Sequence, residues 1–377
     1  MKLRSRLAAF GATGFVLAAL AGCGAAPTAA GRPAGSGSSG THHKKAPALP
    51  WKSTALNKYL PYDVLIADSA NNRILLVTPQ HKIVWQFPKP GQPSPLYDDD
   101  DVFFGPHYDE IITNEESNNM IAILNFKTEK IVWTYGHRGV AGSAPGYLNT
   151  PDDAFLYDRN GHQSIEAADI RNQRIIFISR KTHKIFRQFG TTGVYDENPP
   201  TSYAAPNGDF PAPNGGTLIT QIGGNDAILV NKHGQVQWTV HFPSQFSYPS
   251  DANFTPNGNV LVVFYTDPGA IVEISPKGKV LWQYYVTSGP GMLNHPSLGL
   301  MLPNGMVLLN DDSNDRVIVI DPKTNKIVWQ YGHTGVPGSK PGYLNIPDGL
   351  DPLPAGIVPG GKNPIGGHIW SYPGNGY

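Results

Sequence analysis

Two sets of residues in this chain have types and spacings suited to chemistry. The first is acidic: Asp101, Asp152, Asp153, Asp251 and Asp348, each at or just before the start of a short apolar run. Carboxylates that converge on one point bind hard cations through oxygen, and calcium is the ion such a set suits. Asp101, Asp153 and Asp251 are the candidate metal ligands. The run Asp98-Asp99-Asp100-Asp101 adds charge beside the first of them, unless it is a solvated acidic loop. The second set is His137, His333 and His295, all in Gly-containing segments. An imidazole there could bind a metal, act as a general base, or simply hydrogen-bond within its loop. No HExxH, GxxxxGK[ST], GxSxG or complete EF-hand loop accompanies them.

Those residues matter only if the chain brings them together, and its repeats say how it does so. The segment 304–332 (NGMVLLNDDSNDRVIVIDPKTNKIVWQYG) resembles 62–87 (YDVLIADSANNRILLVTPQHKIVWQF): three β-rich runs separated by polar turns. A closing aromatic recurs at Trp85, Trp133, Phe186, Trp238, Trp282 and Trp329, at intervals of 48, 53, 52, 44 and 47 residues. That period fits a four-stranded propeller blade, and the regular aromatic suits packing between blades better than ligand binding. A fourth element precedes each triplet, at 296–305, 249–258, 206–215, 151–161 and, more weakly, 100–109. Its sixth copy, 347–356, follows the last triplet, while the first triplet lacks one. The predicted fold is therefore all-β, a six-bladed propeller closed by a C-terminal inner strand on the first blade, with residues 56–62 as the competing candidate. Closure removes the open edges that invite aggregation. Asn-Gly pairs at 214–215, 257–258 and 304–305 predict hairpin turns, because both residues tolerate positive φ.

Composition agrees with a turn-rich, neutral protein. The 377 residues include 42 Gly and 35 Pro, and 29 basic residues balance 29 acidic ones. That balance argues against a nucleic-acid partner, which would draw a basic excess or patch. One cysteine rules out an internal disulfide, a CxxC pair and a multi-Cys zinc site.

The N-terminus reads as an address. Lys2, Arg4 and Arg6 precede an apolar run too short to span a membrane. It ends in Leu20-Ala21-Gly22-Cys23, which resembles the lipobox of bacterial lipoproteins. The resemblance implies a signal peptide at 1–22, lipid attachment at Cys23, export, and anchoring to the cell membrane outside the cytoplasm. Residues 23–50, rich in Ala, Gly, Pro and Ser, form a tether with a mean span of roughly 30 Å. The propeller then occupies 51–356, and 357–377 is a Gly-rich tail in which Ile369-Trp370 could dock on the ring.

The blades resemble NHL-repeat propellers, with further likeness to YVTN and quinoprotein-like repeats. The likeness rests on Asp-x-x-Asn-x-Arg at 68–73, 169–174 and 311–316, and on Gly-x-Leu-Asn-x-Pro at 146–151, 291–296 and 342–347. The segment 321–329 resembles the tryptophan-docking end of quinoprotein blades. Within the hexapeptide, Asp and Asn suit a turn and the Arg can cross it to pair with the acid. Two linkers, 135–151 and 331–347, are nearly identical and carry His137 and His333. Long loops on a rigid ring are where such folds place function. The first expectation is a monomeric binding module for an envelope protein, peptide or glycan, with no certain cofactor. The alternative, implied by the resemblance, is a calcium- or zinc-assisted lyase or lactonase-type hydrolase at the channel mouth, where a cation polarises a carbonyl. A quinoprotein-like oxidoreductase ranks below both, because the sequence displays no basic and aromatic cofactor pocket.

Overall fold

The computed structural model describes residues 57–212, 215–363 and 366–369. The signal peptide, Cys23, the tether, Asn214 and Trp370 lie outside the described residues. Six four-stranded antiparallel sheets form the ring, and each inner strand packs against the inner strand of the next blade. Blade one contains Val64–Asp68, Arg73–Val77 and Ile83–Phe87. Its inner strand is Pro347–Pro352 from the far end of the chain, paired antiparallel with Val64–Asp68. The C-terminal strand therefore closes the ring, and the described residues 57–62 do not take that place.

The middle strands are largely buried, and wholly so in Arg73–Val77 (RILLV) and over Val317 to Ile320 of blade six. This is the pattern of sheets covered on both faces. The aromatic of the outer strand fastens neighbours together. Trp85, Trp133 and Trp329 are buried and donate their indole N–H groups to Phe126 O, Arg180 O and Pro79 O of the following blade, at 3.2, 3.0 and 2.9 Å. Trp282 donates to Asn325 Oδ1 at 2.7 Å. Phe186 breaks the rule: it is 59% exposed, and having no N–H it could not make the bond that these four tryptophans make. The hairpins expected at 257–258 and 304–305 form. Only Gly258 and Gly305 take positive φ, because their N–H groups close turns onto Thr255 O and Leu302 O one residue wider than a two-residue hairpin.

The hexapeptide has a clear structural task. Arg73, Arg174 and Arg316 pair with Asp68, Asp169 and Asp311 at 2.6, 2.8 and 2.7 Å. The same acids accept the backbone N–H of Asn345, Asn149 and Asn294 in the preceding linkers. Asn71, Asn172 and Asn314 donate to Gly338 O, Gly142 O and Met292 O of those linkers. Each hexapeptide is thus a clamp that fixes the linker entering its blade.

The tail does dock. Gly360 and Gly366 donate to Tyr108 O and Pro106 O, and Tyr108 Oη donates to Gly367 O. This places the tail on the face opposite the linkers, where His368 Nδ1 lies 2.8 Å from the buried Asp351 Oδ2 and Ile369 packs on the core.

Candidate functional site

The six inner strands share one local geometry. A residue with positive φ precedes each of them: Asp98, Thr150, Ala205, Tyr248, His295 and Ile346. The register then shifts by a bulge within the first four residues of every inner strand. A bulge breaks the strict alternation of side chains and re-aims consecutive residues. In blade two the strand is Asp99–Phe104, so its copy of the element begins one residue earlier than the repeat alignment placed it. The third positions are then Asp101, Asp153, Gly208, Asp251, Leu298 and Gly349, and the second positions include Asp100, Asp152 and Asp348.

The structure brings Asp101, Asp153 and Asp251 together: one carboxylate oxygen from each lies within 4.8 Å of the others. Asp100, Asp101 and Asp152 form a second such set that shares Asp101. Blades two and five face each other across a six-bladed ring, so the meeting point of Asp101 and Asp251 lies on the channel axis. All these acids are buried, as is Asp348. The run 98–101 is accordingly no solvated loop, since Asp99, Asp100 and Asp101 are buried on a strand. Burial pushes the Asp101, Asp153 and Asp251 carboxyls well above their ordinary range, and the neighbouring carboxylates push them further. Beneath them Phe103, Phe155 and Phe210 fill the channel, with ring centroids 4.4, 5.1 and 5.9 Å apart. The arrangement is an all-oxygen, acidic chamber over an apolar floor.

The histidines stand elsewhere. His137 and His333 are exposed on the linkers and stack on Tyr147 and Tyr343 at 4.1 and 4.3 Å. His295, half-buried before its inner strand, meets Tyr265 edge-on at 4.8 Å and lies 2.6 Å from Asn294 Oδ1. Among the described residues no histidine joins either acidic set.

The linker rim holds a feature that whole-loop comparison missed. Gly-x-x-Gly-Val occurs three times, at 136–140, 190–194 and 332–336. Gly139, Gly193 and Gly335 donate to Asn118 O, Asn172 O and Asn314 O, each at 2.8 Å. Val140, Val194 and Val336 donate to the residue three before, and their side chains are left 51%, 43% and 51% exposed. Tyr195, beside Val194, is 51% exposed. The pentapeptide was the available signal, obscured because the blade-three linker diverges after Val194.

Asp209 and Glu166 were also overlooked. Asp209 is buried with both carboxylate oxygens unpartnered. Glu166 accepts from Tyr157 Oη at 2.6 Å and from Thr217 Oγ1 of the next blade. Burial raises Glu166 to about 7 from 4.5, against the opposing effect of those two hydroxyls. The folded state therefore holds this proton more tightly than the unfolded chain, and Glu166 stabilises most below the unfolded value. That contribution is lost as pH rises from about 4.5 through about 7, by up to roughly 3 kcal/mol. Glu166→Gln is expected to remove this dependence. In urea unfolding at successive pH values, the stability of the variant relative to wild type should climb across that window and then level. A difference that does not change with pH would contradict it.

Residues 171–341 match the family model described as outer membrane protein assembly factor BamB. No curated protein matches the chain. Among solved structures, a protein of unknown function from Bacteroides caccae is similar at 16% identity and a TM-score of 0.54, over 78% of this chain and 98% of that one. A virginiamycin B lyase from Staphylococcus aureus gives 16% identity and a TM-score of 0.42 over 62% and 69% of the two chains. Hydrazine synthase of Kuenenia stuttgartiensis gives 12% and 0.47 over 75% and 81%. At such identities the likeness is one of fold. The protein is a six-bladed β-propeller, and its residues 171–341 are similar to that family model.

Proposed function

We propose that this protein is an exported, lipid-tethered propeller that captures a protein partner on its linker rim. The observation that carries the reading is the threefold display of Val140, Val194 and Val336 on loops fixed by one shared hydrogen-bond scheme. Rigid loops lose little conformational entropy on binding, so more of the contact energy appears as affinity. Valine tips beside Tyr195 suit a protein surface better than a glycan, whose hydroxyls they cannot satisfy. The match of 171–341 to a family named for outer membrane protein assembly supports a protein partner at the envelope. The lipobox-like sequence ending at Cys23 and the tether that follows support anchoring there.

Metal-assisted catalysis at the channel mouth is the second reading, favoured by the converging carboxylates. Their burial argues instead for a structural ion, because a substrate carbonyl would need access that Asp101, Asp153 and Asp251 do not offer.

The capture reading is tested in cells making the full chain with a photo-crosslinking residue at 140, 194 or 336, and at 132 or 281 on outer strands. The three rim positions should yield one common protein product, and Cys23→Ser should lose both acyl labelling and that product. Products from the outer strands alone would refute the rim. A Cys23→Ser chain that keeps its label would refute the anchor.

A further inference from the structure

We propose that Asp101, Asp153 and Asp251 hold one calcium ion on the axis of the propeller channel. Three oxygens that all lie within 4.8 Å of one another share a centre no more than about 2.8 Å from each, a small adjustment from the 2.3–2.6 Å of calcium–oxygen bonds. A second observation is the state of those side chains. Asp101 Oδ1, Asp153 Oδ1 and Asp251 Oδ1 are buried and have no hydrogen-bond partner. Leaving three buried carboxylate oxygens bare is costly unless something positive satisfies them.

The remaining third positions keep the space open. A Cβ on Gly208 would stand 2.6 Å from Asp251 Oδ1, and one on Gly349 would stand 2.4 Å from Asp101 Cα. Any larger residue at either place would crowd the chamber that the three acids surround. The donor set selects the ion. Carboxylates without imidazole or thiolate disfavour zinc, which prefers nitrogen and sulfur. Ligands drawn from three blades with bulged backbones form an irregular shell, which calcium tolerates and octahedral magnesium does not. The ion would tie blades two, three and five together across the channel. This inference is independent of the capture reading, since it concerns the channel and not the rim loops.

The test uses the full chain in detergent, freed of metal by chelation, with Ca²⁺ as the probe. Calorimetry should show one equivalent bound, and the melting temperature should rise with Ca²⁺ by several degrees. Mg²⁺ should bind more weakly. Asp153→Asn and Asp251→Asn should each weaken Ca²⁺ binding by more than about tenfold. Since each removes a repulsive charge, both should melt at or above chelated wild type when metal is absent, which separates a lost ligand from a lost fold. Asp321→Asn, on an outer turn, should bind Ca²⁺ as wild type does. Wild type that binds no Ca²⁺ and melts identically with and without chelator would overturn the site. So would unchanged affinity in the triple Asn variant, and equal or tighter Mg²⁺ binding would overturn the assignment to calcium.

Discussion

A chain stopped after Ile346 is expected not to form a soluble ring. The truncation removes Pro347–Pro352, the inner strand that pairs with Val64–Asp68, together with the buried Leu350 and Leu353. Blade one would then expose an unpaired strand edge toward the channel, and blades six and two would lose the surface between them. An unpaired apolar edge is a template for aggregation. The loss goes beyond a few kcal/mol, because a propeller with an incomplete blade has no closed ring to fall back on. Gel filtration and a thermal melt of the soluble fraction would check it: aggregate or a non-cooperative melt is expected. Since Pro352 pairs with Val64, a permutant carrying this strand ahead of blade one through a short turn should regain a cooperative melt. A truncated chain that stays monomeric and melts cooperatively would contradict the closure.

The second large effect centres on Arg316. It is almost fully buried and donates Nε to Asp311 Oδ2 at 2.7 Å. Its Nη1 reaches Pro290 O, Gln330 Oε1 and Thr334 Oγ1, and its Nη2 reaches Met292 O. One side chain therefore binds the linker entering blade six and the loop that carries Val336. Arg316→Ala strands a buried carboxylate and two linker carbonyls. Removing one partner of a buried ion pair costs about 3–5 kcal/mol. Denaturant unfolding should show a loss of that size. Lys at 316 should recover little of it, because an ammonium cannot fork between the acid and the carbonyls. A loss below about 1 kcal/mol would mean that the clamp does not hold the linkers.

The architecture was legible because its signals repeat. The outer-strand tryptophans, the hexapeptides and the displaced sixth inner-strand element each recur at blade spacing, so a weak copy in one blade is rescued by a clear one in another. The acidic chamber was half legible. Alignment put Asp153 and Asp251 at one strand position but Asp101 one place off, since the blade-two strand begins at Asp99, and a regular strand would send Asp152 and Asp153 to opposite faces. Only the bulges, which arise from backbone register and leave no residue signature, let both acids serve the channel. His137 and His333 drew attention through residue type, yet each ring packs at a tilt on a tyrosine ten residues further along a linker whose fold no periodicity describes. The valine tips went unnoticed for the converse reason: an apolar residue in a loop carries no chemical signal until its exposure is known.

The capture rim is the central claim, and its most direct measurement is an affinity. With the partner isolated through the rim crosslinks, its Kd would be compared between wild type and a variant carrying Val140→Asp, Val194→Asp and Val336→Asp. These side chains are exposed and their loops are fixed by backbone bonds, so the variant should melt as wild type does. Binding should weaken by about 100-fold or more, since each charge would be buried unpaired in the interface. An unchanged Kd in a folded triple variant would show that the partner binds elsewhere on the ring.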